Sequence, residues 1–361
     1  TRPSGAPRWT RCALAPTLAA SLGEPPTNDA AREGTCAAWV AETVLTGRAP
    51  DAVSMIGQAH ENGWVVDDEM AHHVQGYVDH CRARVADGGE LWAEQYVTLT
   101  HDIGGTLDCA TLTPDGTLTI SDLKYGHRPV KPDSDQLVIY AGAVLQGCRA
   151  TRIVTEIYQP RAFVSGGIAR QREWTPDEIH IRCEWIIERA ADCRKPNPPG
   201  TPGPHCAYCA GAGRGCDALA ATAAQIMAVV QDTDHGAMDA PALARQVDFF
   251  RWAVPTLKAA SDAAETEAIA RHRAGDTLPG YGVSERMGQT KVTATREAIL
   301  ALTGFDLPIV EKPPAVGDLR KAGLSDKQIA LFTTRPVIGM KLDPLDADDL
   351  AARFKGVTTD A

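Results

Sequence analysis

GGTLDCATLTPDGTLTISDLKYGHRPVKPDSDQLVIY, Gly104 to Tyr140, is the stretch on which the fold of this 361-residue chain turns. Thr106 to Leu112 and Thr117 to Lys124 are rich in Thr, Leu and Ile, and Pro114-Asp115-Gly116 between them is a strong turn signal. The pair reads as a β-hairpin. Strand alternation puts Leu118, Ile120, Asp122 and Lys124 on one face of the second strand. The first two enter a core, while Asp122 and Lys124 emerge at the strand end, about 7 Å apart. Asp108 reaches the same face across the hairpin. Two carboxylates and an ammonium at a sheet end suit a hard metal ion beside a charge-stabilising lysine.

After the hairpin, Tyr125 to Asp135 reads as a mobile cationic loop with Lys124, Arg128 and Lys131 at its base. Arg128 and Lys131, with Arg161 after the following strand, are candidate contacts to DNA phosphates. Ser134 is placed to cap a helix over Asp135 to Leu145, and Gln136 and Tyr140, four apart, share its face.

Taken in order, Gly105-Thr-Leu-Asp108, Asp122-Leu-Lys124 and Gln136-Leu-Val-Ile-Tyr140 resemble the motifs of PD-(D/E)XK nucleases of the RecB type. The resemblance implies an α/β restriction-endonuclease-like core, a mixed sheet flanked by helices. It also implies a Mg²⁺- or Mn²⁺-dependent deoxyribonuclease. Asp108, Asp122 and the Leu123 carbonyl would hold the metal, Lys124 would assist the attacking water or the transition state, and Gln136 and Tyr140 would position substrate. The motifs span about the first 217 residues. Exonuclease action is implied by that family alone, and ring-forming exonucleases suggest a homo-oligomer. The chain as a whole looks like a phage-associated branch, for which DNA and a phage single-strand-binding or recombination protein are the expected partners.

Upstream, Asn28 caps an expected helix from Asp29 to Leu45. Within it, EGTCAAWVAE (Glu33 to Glu42) resembles the family's first motif, in which a further His ligand would fall at position 38. Here that residue is Ala38. The departure leaves three readings: a silenced variant, a nuclease with fewer ligands, or a protein that binds DNA without cutting it. Glu42 is the nearby substitute ligand or a solvated glutamate, and Glu94 is a peripheral acidic candidate. Residues 50–90 read as helical, with His72 and His73 on different sides. Trp92 to Leu99, Arg152 to Gln159 and Gly167 to Trp174 read as strands, and Pro176 to Ala191 as a helix.

Ten cysteines in an intracellular chain favour metal chemistry over disulfides. Cys206-x2-Cys209-x6-Cys216 is a compact thiolate trio within a glycine-rich loop. In RecB-type nucleases of the AddB kind, and in the iron–sulfur nucleases of CRISPR adaptation, one cysteine before the nuclease core and three after it bind a 4Fe–4S cluster. The resemblance assigns those places to Cys12, Cys206, Cys209 and Cys216, with Cys36 as the rival first ligand. Zinc on the same four thiolates fits the spacing equally. The other cysteines read as small buried hydrophobes.

A hydrophobic content of 44% and a charged content of 23% are those of a soluble globular protein. No apolar run reaches membrane-spanning length and no leader pattern opens the chain, so the expected location is cytoplasmic, the host's for a phage gene. The net charge of −10 argues against a generally basic surface, yet Asp122 to Glu173 carries eight Lys/Arg against five Asp/Glu. The expected division is 1–217 for the nuclease domain closed by the cluster and 218–361 for a mainly helical accessory region. That acidic segment also admits a protein-interaction reading.

Overall fold

A computed structural model describes residues 1–23, 27–162, 167–231, 233–287, 291–292, 296–304, 316–334 and 337–344. The chain builds α1 (Ala6–Trp9), α2 (Ala15–Leu22), α3 (Asp29–Leu45), α4 (Asp68–Ala83), β1 (Glu90–Thr100), β2 (Ile103–Leu112) and β3 (Thr117–Leu123). It continues through α5 (Asp135–Leu145), β4 (Arg152–Tyr158), β5 (Ala169–Trp174) and α6 (Pro176–Cys193). The strands form one mixed sheet in the order β1-β2-β3-β4-β5. Only β3 and β4 run parallel. A parallel pair needs a crossover, and α5 supplies it.

β3 is central, and all seven of its residues are buried. On one side of the sheet Leu118 and Ile120 pack with Leu137 and Ile139 of α5, Ile179 and Ile186 of α6, and Ala6 and Trp9 of α1. On the other, Cys109 and Leu123 join Val40 and Val44 of α3 and Met70, Val74, Tyr77 and Val78 of α4. Each fully buried Leu or Ile contributes about 1.5–3 kcal/mol by leaving water. The local signals agree with this packing. Asn28 accepts from the Ala31 amide at 2.8 Å, Ser134 accepts from the Leu137 amide at 3.5 Å, and Thr175 with Glu178 closes a capping box on α6.

Residues 50–67, expected to be helical, are not. They hold one 3-10 turn, Val53–Met55, and an isolated bridge between Ala59 and Val65. Gly57 and Gly63 take φ of 84° and 82°, which a helix does not allow. Met55 and Val66 are buried while Val53, Ile56 and Val65 are exposed, so the apolar spacing here follows neither a helical period nor a continuous core face. The helix starts at α4, where Asp67 accepts from the Met70 amide at 2.7 Å.

One compact unit spans Thr1–Glu267 and a second Ala268–Ala361. The first extends past the expected boundary at 217. The reason is that α7 (Asp217–Gln231) and α8 (Ala240–Arg273) bring Leu219 and Ala259 onto Cys206 in a small core of their own. α8 tolerates Pro255 in its interior as well as Pro241 in its first turn. The second unit contains β6 (Tyr281–Met287), β7 (Lys291–Val292), α9 (Arg296–Thr303), α10 (Val316–Lys321), α11 (Asp326–Ala330), β8 (Thr333–Thr334) and β9 (Val337–Pro344). β6 pairs with β9 and β7 with β8, both antiparallel. Ile299, Leu319, Leu324, Ile329 and Phe332 form its core. This region, expected to be mainly helical or mixed with short strands over Gly280 to Val292, contains both helices and strands. Among the described residues no helix is long and apolar enough to cross a membrane.

A buried charge ties β3, β4 and α4 together. Glu156 is fully buried and accepts from Ser121 Oγ at 2.5 Å and Gln171 Nε2 at 2.7 Å. His80 Nε2 lies 3.0 Å away and the Arg84 guanidinium pairs with the same carboxylate. Burial pushes the Glu156 carboxyl up, but the bonds from His80 and Arg84, the Arg84 charge and Gln171 outweigh it and hold it at about 2. A depressed carboxyl stabilises the fold fully above its unfolded value near 4.5, and that stability disappears as pH falls towards 2. Glu156→Gln should therefore cost about 3 kcal/mol at pH 7 and flatten the loss of stability between pH 4.5 and 2. Urea unfolding across that range measures both, and an unchanged midpoint at pH 7 would contradict the assignment.

Candidate active site and cysteine centre

The β2–β3 ladder runs from Leu112↔Leu118 to Cys109↔Ser121. One step further along the same register sit Asp108 and Asp122. There the ladder bonds give way to a side chain, as the Leu123 amide donates to Asp108 Oδ2 at 3.0 Å. Asp122 is buried, at 2% exposed, and Asp108 is half-buried. Lys124 Nζ lies 2.6 Å from Asp122 Oδ2, an ion pair in which that oxygen receives no directed hydrogen bond. From α5, Gln136 Nε2 donates to Asp122 Oδ1 at 3.2 Å, and Tyr140 is hydrogen-bonded to Gln136 in turn. The five residues singled out in the three motifs thus converge.

Their protonation follows from this geometry. Burial, then the Asp122 charge, pushes the Asp108 carboxyl up to about 7, against the opposing effects of Lys124 and the Leu123 amide. Burial by itself would lower the Lys124 ammonium, but the charges of Asp122 and Asp108 raise it. Lys124 is therefore a fixed cation and a hydrogen-bond donor, not a base. Burial pushes the Tyr140 hydroxyl up to about 12, so it too stays a donor.

A residue rated peripheral from sequence lies against this group. Glu94 falls opposite Asp108 in the β1–β2 register, between Ala93↔Cys109 and Gln95↔Leu107. Its φ of 52° is that of a left-handed residue inside a strand. Burial, then Asp108 and Glu42, pushes its carboxyl up to about 7. Glu42 is held by Arg48. β2 is irregular at the same level, because Leu107 and Ala110, three apart, enter one core while Cys109 enters the other.

The donor set suits a hard divalent cation. It offers carboxylate oxygens, one of them buried without a directed donor, and carboxyls whose proton affinity is raised by their neighbours. Mg²⁺ uses one or two protein carboxylates and fills its remaining positions with water. That is compatible with the finding that, among the described residues, no three His, Cys, Asp or Glu side chains form a metal-ligating group. For Leu123 the observed contact is its amide on Asp108.

Other expected residues fall elsewhere. Ala38 is half-exposed on α3. Glu33 of the same motif lies 2.7 Å from Nη1 of Arg161. Arg161 is 8% exposed, its guanidinium lies 4.6 Å over the Tyr125 ring, and its Nη2 is 2.7 Å from His127 Nε2. It braces α3 and the loop after β3, which corrects its expected place on the DNA-facing surface. Arg128 and Lys131 are exposed. The loop that carries them, expected to be mobile, is tied by Gln159. That side chain donates to the Gly126 and Arg128 carbonyls at 2.5 and 2.8 Å and accepts from the Val130 amide at 3.1 Å. Gln159 ends a strand-like sequence and carries no signal of this role.

Cys12 follows α1, and Cys206, Cys209 and Cys216 lie between α6 and α7. The fold brings them into one region, though among the described residues no three of these thiols stand in a metal-ligating arrangement. Burial first, and then the neighbouring thiols including Cys12, raise both Cys206 and Cys209. The Thr201 amide donates to Cys12 Sγ and the Gly203 amide to Cys206 Sγ, each at 3.4 Å. None is in a disulfide. Amides aimed at sulfurs, and thiols whose ionised forms would repel one another, suit a cationic metal or an iron–sulfur cluster. Cys36 is in the α3–α4 core with Sγ 3.8 Å from the Trp64 carbonyl, apart from this group. Cys193 borders the centre but donates to the Arg189 carbonyl at 3.3 Å.

A family model described as a protein of unknown function (DUF2800) matches residues 2–309. The match takes in the sheet, both carboxylates and all four gathered cysteines.

A carboxyl whose folded value is raised stabilises the fold below its unfolded value near 4 and loses that contribution as pH rises through 7. In chelator, Asp108→Asn should therefore melt higher than the parent above pH 7, by roughly a few degrees. At pH 4 the gain should vanish. Equal melting temperatures at pH 8 would show that the two carboxylates do not repel as the geometry implies.

Proposed function

This chain belongs to the DUF2800 family, and for it we propose the function of a metal-dependent deoxyribonuclease that hydrolyses phosphodiesters, working from DNA ends. The observation that carries the reading is the meeting of Asp108, Asp122 and Lys124 at the end of β2 and β3, with Gln136 of α5 on Asp122. Asp108 and Asp122, with the Leu123 carbonyl, would hold Mg²⁺ or Mn²⁺, which when bound supplies an acidified water and neutralises phosphate charge.

The chain's own residues do the rest. Gln136 fixes the rotamer of Asp122, leaving the buried Oδ2 directed at Lys124. Lys124, held as an ammonium, donates to the attacking water or to the oxygen on which charge develops at phosphorus. Tyr140, whose oxygen accepts from Gln136, orients that amide. Arg128 and Lys131, exposed beyond the strand end, attract the phosphate backbone. Cys12, Cys206, Cys209 and Cys216 would hold a 4Fe–4S cluster whose role is a clasp between the start and the end of this unit. Their amide-bonded sulfurs support iron–sulfur over a bare thiol group.

Ala38 in place of a first-motif His favours a second reading, a DNA-binding recombination accessory with weakened chemistry. The two separate in one experiment, in which end-labelled linear and closed circular DNA is followed over time with Mn²⁺. The nuclease reading expects loss of linear DNA only, a drop of roughly 10²-fold or more for Lys124→Ala, and a faster Ala38→His form. Cleavage indifferent to Lys124→Ala, or DNA bound but uncut by every form, would reject it. Protein prepared without oxygen should be brown and contain iron and inorganic sulfide in equal amounts, both lost in Cys209→Ser. Colourless protein carrying zinc would reject the cluster.

A further inference from the structure

Between the first residues of the chain and the cysteine loop lies a cleft of about 520 Å³, lined by Arg2, Ser4, Arg8, Trp9, Pro16 and Cys209 among others. None of its lining residues is Asp or Glu. The adjoining cleft, which shares Arg8, Cys209 and Ala210 with it, is different. There Arg8 and Arg214 face Asp262 and Glu267, and Arg214 is paired with Glu267 at 3.6 Å. Of these two clefts the first has basic but no acidic residues in its lining, and it shares Arg8 with the second.

Its walls are fixed. Trp9 is buried and its Nε1 donates to the Arg2 carbonyl at 2.9 Å. Arg8 Nη1 donates to the Tyr208 carbonyl at 2.5 Å, which ties the helix to the loop. The Arg2 side chain projects into solvent. Beside the cleft, the buried Pro3 packs against the strand that carries Asp108. A Cβ placed on Gly105 would stand 3.0 Å from Pro3 and 3.4 Å from the Tyr140 hydroxyl. Gly105 is three residues from Asp108, so the turn Pro3–Gly5 borders both the carboxylate site and the cleft. At the rim shared with the second cleft, Tyr208 is 62% exposed and holds a φ of 65°.

We propose that this cleft seats a single DNA strand, with Arg2 and Arg8 on its phosphates and the Tyr208 ring against a base. The inference rests on the nuclease reading for its choice of ligand and adds where the strand lies. A charged groove with an exposed aromatic at its mouth is the chemistry that holds single strands without reading sequence. The strand would lead from the carboxylate site past Pro3 towards the cysteine loop, so the clasp and the substrate path share one wall.

The test is binding of a fluorescent single-stranded oligonucleotide by the full chain in chelator, where nothing is cut, over a series of salt concentrations. Removing a stacking aromatic costs about 1–3 kcal/mol per base, so Tyr208→Ala should weaken binding roughly 5- to 100-fold, and Tyr208→Phe should restore it. Arg2→Ala should reduce the slope of log affinity against log salt by about 0.7, the value for one phosphate on a single strand, and Arg2→Lys should keep it. Parental affinity and slope in both Tyr208→Ala and Arg2→Ala would overturn the proposal, as would tight binding of duplex alone. This outcome is separable from failure of the nuclease reading. Sensitive binding without any cleavage leaves the cleft standing, whereas cleavage with insensitive binding removes it.

Discussion

Asp108 and Asp122 occupy opposed positions at the point where β2 and β3 stop pairing, and like charges so placed repel. Everything around them is arranged to hold that repulsion in place. The Leu123 amide leaves the ladder to bond Asp108, Lys124 turns back onto Asp122, and Gln136 reaches down from α5. The helix can do this because it is the crossover between the parallel strands β3 and β4, and its start is anchored. Asp135, buried at the first turn, accepts from Thr10 at 2.8 Å and from Arg182 Nη2 at 2.6 Å. The first residues, α5 and α6 are thereby locked to one another over the sheet.

The chain contains two kinds of buried carboxylate, and the contrast separates scaffold from site. Glu156 is satisfied by Ser121, Gln171, His80 and Arg84, and its proton affinity falls to about 2. Asp108 has one backbone amide and a like-charged neighbour, and its proton affinity rises to about 7. Both strands, β3 and β4, could have carried the same compensation. A carboxylate left under-compensated beside another, in a sheet that elsewhere satisfies a buried acid fully, is the kind of environment in which functional groups are found.

Much of this was legible in the sequence because the signals were local. The turn at Pro114–Gly116 and the alternation of Leu118, Ile120 and Asp122 fixed the hairpin register, and Ser134 and Asn28 marked helix starts that the structure reproduces. What was hidden depends on distant partners. Arg161 looks like a surface cation until Glu33 and Tyr125 close over it, and nothing near Gln159 announces that its amide will pin a loop some thirty residues earlier. Residues 50–67 mimicked a helical period because apolar residues also stand in turns, where Met55 and Val66 are buried and Val53, Ile56 and Val65 are exposed. The boundary near 217 failed for a similar reason, since Leu219 and Ala259 need Cys206 to complete their core.

Glu94 carries the argument one step further. A non-glycine residue at φ 52° inside a paired strand costs on the order of 1–3 kcal/mol. The register on either side of it is unbroken, so the strand does not need the distortion in order to pair. The distortion instead turns an acidic side chain towards Asp108 and Glu42, where burial and repulsion raise its proton affinity to about 7. The carboxylates of Glu42 and Glu94 lie near Asp108 from α3 and β1. The site is thus richer in acidic side chains than its three motifs alone imply, with Lys124 and Arg48 among the cations that oppose them. A strand that keeps a strained glutamate opposite an under-compensated aspartate gathers acidic side chains at the cost of local backbone strain.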